Sequence, residues 1–207
     1  MPVEWGQKEP RWTDLTVLVT DIRESTDKVN NCPPELLAHF MYELHQLTQN
    51  PLSDVCEGDP NLARVNVFLG DGFLVLFQDR EDEHFPEGPR RAIDAAARMQ
   101  HRYEALTHTT EYSQRQFDAT SLVAGISFGG VIYGAFDGTG ERSTAVGRLV
   151  NLAFRLAQVA EHGQIVVSEE VQQHASAKLT AFEFTPGTLP MEAKGFEGRP
   201  YYLARAQ

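Results

Sequence analysis

Apolar and polar positions follow two rhythms along this chain. Residues 15–20, LTVLVT, form a short β-branched run that stops at Asp21, which predicts a buried strand with a carboxylate at a strand-to-helix turn. Pro33 and Pro34 fit the first turn of a helix through ELLAHFMYELHQLTQ, where Leu36, Leu37, Phe40, Met41, Leu44 and Leu47 recur at helical spacing. Between Arg64 and Phe77 the run RVNVFLGDGFLVLF reads as strand, tight turn, strand, with Gly70 and Gly72 flanking Asp71 at the tip. A polar, acidic connection leads to Pro89, which opens a second helix, RRAIDAAARMQHRYEAL.

The stretch LVAGISFGGVIYGA, residues 122–135, gives two apolar runs interrupted by Gly129 and Gly130 and predicts a second hairpin there. FDGTGERST reads as a flexible loop. RLVNLAFRLAQVA, residues 148–160, is periodic with Leu149, Leu152, Ala153, Leu156 and Val159 inward, so Asn151 and Arg155, four apart, share one face. QIVVS reads as a strand, SEEVQQHA as a capped helix, and the tail as FEF, a loop with Lys194, and a final strand YYLAR. Two β-α-β units with two hairpins predict an α/β (α+β) ferredoxin-like sheet with helices on one face and C-terminal additions.

Composition narrows the class. At 207 residues, 42% hydrophobic and 23% charged, the chain suits one soluble α/β domain. No run approaches the roughly 18 to 20 apolar residues of a membrane span, and MPVEWGQKEPRW lacks a signal-peptide core, which predicts a cytoplasmic protein. Cys32 and Cys56 have no ligand spacing and read as free thiols. A net charge of −11 without a Lys/Arg run disfavours nucleic-acid binding, so an anionic small ligand would need metals and a few focused cations.

Asp21 at a strand end and Asp71 at a hairpin tip could meet at one sheet edge and hold two Mg2+ or Mn2+ ions, as two-metal phosphoryl transfer requires. The backbone amides of Arg23, Glu24, Ser25 and Thr26 could bind phosphates as a helix N-terminus does. Alone, an Asp after a strand is usually a cap or turn residue, and G-D-G is a common hairpin turn.

Four segments in order carry more weight: VLVTDIREST, VFLGDGFLVLF, GISFGGVIYGAFDGTGERSTAVGRLVNLAFRL and AKGFEGRPYYL. Together they resemble the class III adenylate and guanylate cyclases over residues 14–204, with divergent connections around 50–60 and 80–120. The resemblance implies a ferredoxin-like βαββαβ core with C-terminal additions, an N-terminal extension over 1–13 and a catalytic domain over 14–207. It implies a homodimer whose shared sites take metal ligands from one protomer and base, ribose and phosphate contacts from the other. By position the metal set is Asp21, the adjoining Ile22 and Asp71. Asn151 matches the ribose-orienting asparagine, Arg155 the transition-state arginine and Lys194 the triphosphate lysine.

The base-reading pair departs from the adenylate cyclase pattern, because Val67 stands where a lysine is expected and Thr144 where an aspartate is. An aliphatic side chain cannot donate to an adenine ring nitrogen, and it is not the acidic group typical of guanylate cyclases. Base choice stays open between UTP, CTP, ATP and GTP, and Val67 also reads as an ordinary strand residue with base contacts supplied elsewhere. A free-standing layout is similar to the bacterial Pycsar pyrimidine cyclases of antiphage defence, which implies UTP or CTP as substrate and a separate receptor for the cyclic product. The alternatives are an adenylate or guanylate cyclase, a non-catalytic nucleotide-binding module, which retention of both aspartates and the arginine disfavours, and a diguanylate cyclase, whose G-G-[DE]-E-F hairpin is absent.

Overall fold

A computed structural model describes residues 3–137, 143–175 and 179–207. The chain opens with a long strand β1 (Arg11–Arg23), a short helix α1 (Ser25–Asn30) and the helix α2 (Pro34–Val55). A hairpin of β2 (Ala63–Phe68) and β3 (Phe73–Phe77) leads into α3 (Gly88–Thr107), a single turn α4 (Thr110–Ser113) and the 15-residue β4 (Ser121–Ala135). After it come β5 (Ser143–Val146), α5 (Arg148–Val159), β6 (Ile165–Ser168), α6 (Glu169–Ala175), β7 (Phe182–Thr188) and β8 (Pro200–Ala206). Ser168 caps α6, its Oγ accepting the Val171 amide.

One mixed sheet runs β2-β3-β1-β4-β6-β8-β7, with β5 paired to β4. The first four positions are the ferredoxin-like core: β1 lies antiparallel to both β3 and β4, and α2 and α3 make the two crossovers. β6 joins β4 in parallel and β8 joins β6 antiparallel, which adds the C-terminal elements.

Alternation along β1 explains the layering. Leu18 and Ile22 point into a core shared with Phe40 and Leu44 of α2 and Ile93, Ala96 and Met99 of α3. Leu15, Val17 and Val19 point the other way, against Val150, Ala153 and Ala157 of α5. The core crossovers do share one face, yet α5 covers the opposite one, which corrects the expectation of helices on a single face. β1 is apolar on both sides because both sides are covered.

Three further differences from the sequence reading have local causes. The strand predicted over 15–20 spans Arg11–Arg23, because β4 pairs with it residue for residue from Tyr133 to Ser121. Gly129 and Gly130 make no hairpin: they continue β4, opposite Leu15 and Asp14, and the absence of a side chain at Gly130 makes room for the Trp12 indole. The return strand comes later, as Ser143 and Thr144 of the expected loop belong to β5, while residues 138–142 of that loop lie outside the described residues. The N-terminal segment packs too, with Val3 buried and Trp5 edge-on to Tyr133 at 5.5 Å. Among the described residues no helix is long and apolar enough to cross a membrane.

Candidate active site

Asp21 lies two residues before the end of β1, and the turn bearing Asp71 is pressed against it. The turn closes when the Leu69 amide donates to the Gly72 carbonyl at 2.9 Å, and Gly70 adopts a left-handed φ of 77°. A Cβ at Gly72 would sit 2.2 Å from the Thr20 carbonyl oxygen and 3.4 Å from Asp21 Cα, so glycine permits this approach. The Phe73 amide donates to Thr20 Oγ1 at 3.0 Å, locking hairpin to strand.

The Asp71 carboxylate acts on Asp21. Burial raises the Asp21 pKa above the ordinary 3.8, the Arg23 guanidinium pulls it down, the Asp71 charge raises it again, and the Ile22 amide lowers it. Arg23 Nη1 donates to Asp21 Oδ2 at 3.0 Å, and the Asp21 side chain is still 43% exposed. Ser25 Oγ donates to Asp71 Oδ2. The Ile22 side chain is sealed in the core, which leaves its backbone carbonyl as its only possible ligand atom.

The phosphate segment after Asp21 is reshaped by the fold. Arg23 donates to the carbonyls of Ala157, Gln158 and Ala160, closing the C-terminal end of α5, so its side chain is already engaged. Glu24 turns left-handed at φ 61°, starting α1 at Ser25 and leaving Thr26 exposed.

No group of three or more His, Cys, Asp or Glu side chains that could hold a metal occurs among the described residues. The carboxylates of Asp21, 43% exposed, and Asp71 lie close enough for their charges to interact and offer a small, hard oxygen set. That set fits Mg2+ or Mn2+, which take one or two carboxylates and complete their shells with water and substrate phosphates.

The remaining predicted residues gather elsewhere. A cavity of about 650 Å³ is lined by Ala145, Val146, Gly147, Arg148, Val150, Asn151 and the loop Lys194, Gly195 and Phe196. Phe196 buries itself against Leu152 and Leu156, and Arg148 donates to the Gly195 carbonyl at 3.1 Å while lying over the Phe196 ring. These contacts fix the loop, so Asn151 and Lys194 share one cavity although 43 positions separate them. Arg155 stands one turn further along α5 and donates to Gln158 Oε1 at 2.6 Å. The anchoring role of Arg148 was missed in the sequence, where it reads as an ordinary first-turn residue.

Thr144 adjoins this cavity on β5. Its hydroxyl accepts a 2.7 Å hydrogen bond from Asn66 Nδ2, and Asn66 precedes Val67, which is 41% exposed. The two base-pair positions are thus brought to one region, together with an asparagine the sequence reading passed over. Its signal was a polar residue inside the apolar run VNVF, next to the Asp71 turn.

Comparison with known proteins converges on one family. The profile described as Adenylate and Guanylate cyclase catalytic domain matches residues 8–204. No curated protein sequence matches. Among solved structures, the adenylyl cyclase CyaB from P. aeruginosa is 20% identical, with 96% of this chain and 97% of that one covered at a TM-score of 0.78. The guanylate cyclase domain of RhGC from Catenaria anguillulae, solved with GTP, is 19% identical over 95% of this chain and 99% of that one, at a TM-score of 0.75. The guanylyl cyclase Cya2 is 20% identical over 95% and 94% at 0.73. These likenesses support the same fold, and the profile spans nearly the whole sequence. The chain therefore belongs to the adenylate and guanylate cyclase family and is a nucleotidyl cyclase catalytic domain.

Proposed function

We propose that two copies of this chain pair head to tail into a homodimer with two shared sites, each converting a nucleoside triphosphate, by preference UTP or CTP, to its 3′,5′-cyclic monophosphate. The observation that carries this reading is a separation. Arg23, hydrogen-bonded to Asp21, holds the C-terminal end of the 12-residue α5, whereas the cavity with Asn151 and Lys194 surrounds the N-terminal end. At 1.5 Å per residue those ends are about 18 Å apart. A second copy in antiparallel register would set the carboxylates of one against the cavity of the other. Trp12 and Val146, both opposite Ile132 on neighbouring strands, form with it an exposed apolar patch beside that cavity, and Trp12 is 71% exposed. A partner protomer would cover this patch.

In such a site Asp21 and Asp71, with the Ile22 carbonyl, would hold two divalent ions. Bound Mg2+ or Mn2+ would polarise the phosphates and favour the ionised 3′ oxygen. Asn151 orients the ribose, and Lys194 and the amides after Asp21 hold the phosphates. Arg155 neutralises charge that grows at the α-phosphate. The 3′ oxygen forms its bond to the α-phosphorus as the bond to pyrophosphate breaks, and the 3′ proton passes to solvent. The pyrimidine preference rests on Val67, which supplies neither a donor for adenine nor an acid for guanine. The reading extends to a cytoplasmic second-messenger synthase of antiphage defence whose product is read by a separate receptor.

Incubating the protein separately with ATP, GTP, CTP and UTP plus Mn2+, and identifying products by mass spectrometry, tests reaction and base together. Cyclic UMP or cyclic CMP is expected. A dominant cyclic purine overturns the pyrimidine preference, and the absence of any cyclic nucleotide overturns the reading as an active cyclase.

A further inference from the structure

β2 contains a register shift. Val65 pairs with Val75, but Val67, two residues on, pairs with Leu74, so Asn66 is the extra residue of a β-bulge. Its effect follows from the faces on either side. Val65 belongs to the α2 and α3 core, and Phe68, opposite Phe73, packs edge-on against that ring at 5.3 Å and against His45 of α2 at 4.1 Å. Strict alternation from Val65 would place Val67 on that same face. The bulge instead sets both Asn66 and Val67 against Leu74, whose side chain belongs to the α5 side of the sheet.

On that side Asn66 meets Thr144 at 2.7 Å, while its Oδ1 is buried and has no partner among the described residues. An unpartnered buried acceptor carries a desolvation penalty that ligand binding can relieve. The hydrogen bond also sets polarity: the Thr144 hydroxyl accepts from Nδ2, which leaves its own proton free to be donated. An acceptor, Asn66 Oδ1, and a donor, Thr144 Oγ1, thus stand side by side, and Ala145, the residue after Thr144, lines the cavity that holds Asn151. Val67 adds an apolar surface beside them.

We propose that Asn66 is the specificity-determining residue of this site, its amide oxygen accepting an N–H from the Watson–Crick edge of the base while the Thr144 hydroxyl donates to the adjoining acceptor. This inference rests on the reading of the site as a nucleoside triphosphate site and deepens it. Such a pair can be met by N3–H and a carbonyl oxygen in uracil, by the 4-amino group and N3 in cytosine, or by the 6-amino group and N1 in adenine, and the remaining shape of the site chooses among them. The polar contact absent at Val67 is thereby supplied by its neighbour.

The test measures turnover and binding in parallel. Wild type, Asn66→Ala and Thr144→Val are assayed for kcat and KM with all four nucleoside triphosphates, and for Kd with their α,β-methylene analogues by calorimetry, with thermal melting as the folding control. Asn66→Ala is expected to weaken kcat/KM and analogue binding for the preferred base by about 10- to 100-fold and the others by less than about threefold, flattening the preference. Thr144→Val should flatten it in the same sense. An equal loss for all four bases, or an unchanged preference in a folded variant, overturns the inference and reduces the Asn66–Thr144 bond to a tie between β2 and β5. Analogue binding that discriminates bases through Asn66 without any turnover would sink the cyclase reading alone. Failure of all four analogues to bind wild type overturns both.

Discussion

The two carboxylates and the residues proposed to bind nucleotide are positioned by different means. Asp21 and Asp71 are placed by main chain: a strand paired along its whole length, a glycine pressed against a carbonyl, and a threonine hydroxyl taking a neighbouring amide. Asn151, Arg155 and Lys194 project from an exposed helix face and a loop, and their order comes from buried neighbours such as Phe196. Main chain can hold two charges together in water, whereas side chains on an exposed helix face and a loop keep more freedom to adjust.

The sharpest way to break this contrast is to disable each half separately. Asp71→Ala and Arg155→Ala should each lower activity about a thousandfold or more. Mixed before assay, they should recover about a quarter of wild-type activity through heterodimers with one intact site. Two folded, dimerising variants that fail to complement would contradict halves from separate copies.

Gly72→Ala comes next. The added methyl would meet main chain at 2.2 Å, and main chain cannot swing aside. We expect a loss of about 1 to 3 kcal/mol in urea unfolding, together with most of the activity as Asp71 is displaced. Normal stability and turnover would show the strand end to be softer than described.

A smaller effect concerns pH. Because the folded pKa of Asp21 is raised, the folded state binds its proton more tightly than the unfolded chain. That contribution is fully present below the ordinary 3.8 and is lost as pH rises through the folded value. Metal-free wild type should therefore lose stability relative to Asp21→Asn as pH rises above about 4 in urea titrations with chelator present. A relative gain over the same range would mean that Arg23 outweighs burial.

The smallest change is expected at Gly130→Ala. Its methyl would strike the Trp12 indole at 2.0 Å, a worse overlap on paper than at Gly72, yet an exposed side chain can rotate away. A shift within about 0.5 kcal/mol is expected by thermal unfolding.

Legibility in the sequence follows the same division. Asp21 and Asp71 were readable because each sits where a strong local pattern stops, an apolar run or a G-D-G turn. The four-residue spacing of Asn151 and Arg155 put them on one helix face, and the structure agrees. Gly129 and Gly130 misled because two glycines in an apolar run signal a turn, whereas here a tryptophan over 100 residues earlier in the chain occupies the space Gly130 leaves and Leu149 crowds Gly129. The placement of α5 could not be read either, since periodicity reveals an inward stripe but not which face of a sheet receives it. Asn66 was hidden for a related reason: a bulge is a relation between two strands, and only pairing with Leu74 exposes the slip.

Arg23 touches an acidic group at a strand tip and three carbonyls at the end of the helix that carries Asn151 and Arg155. Whatever pulls on that acid is transmitted through a single planar cation to the helix. Charge at the strand end and the position of that helix are therefore mechanically linked variables.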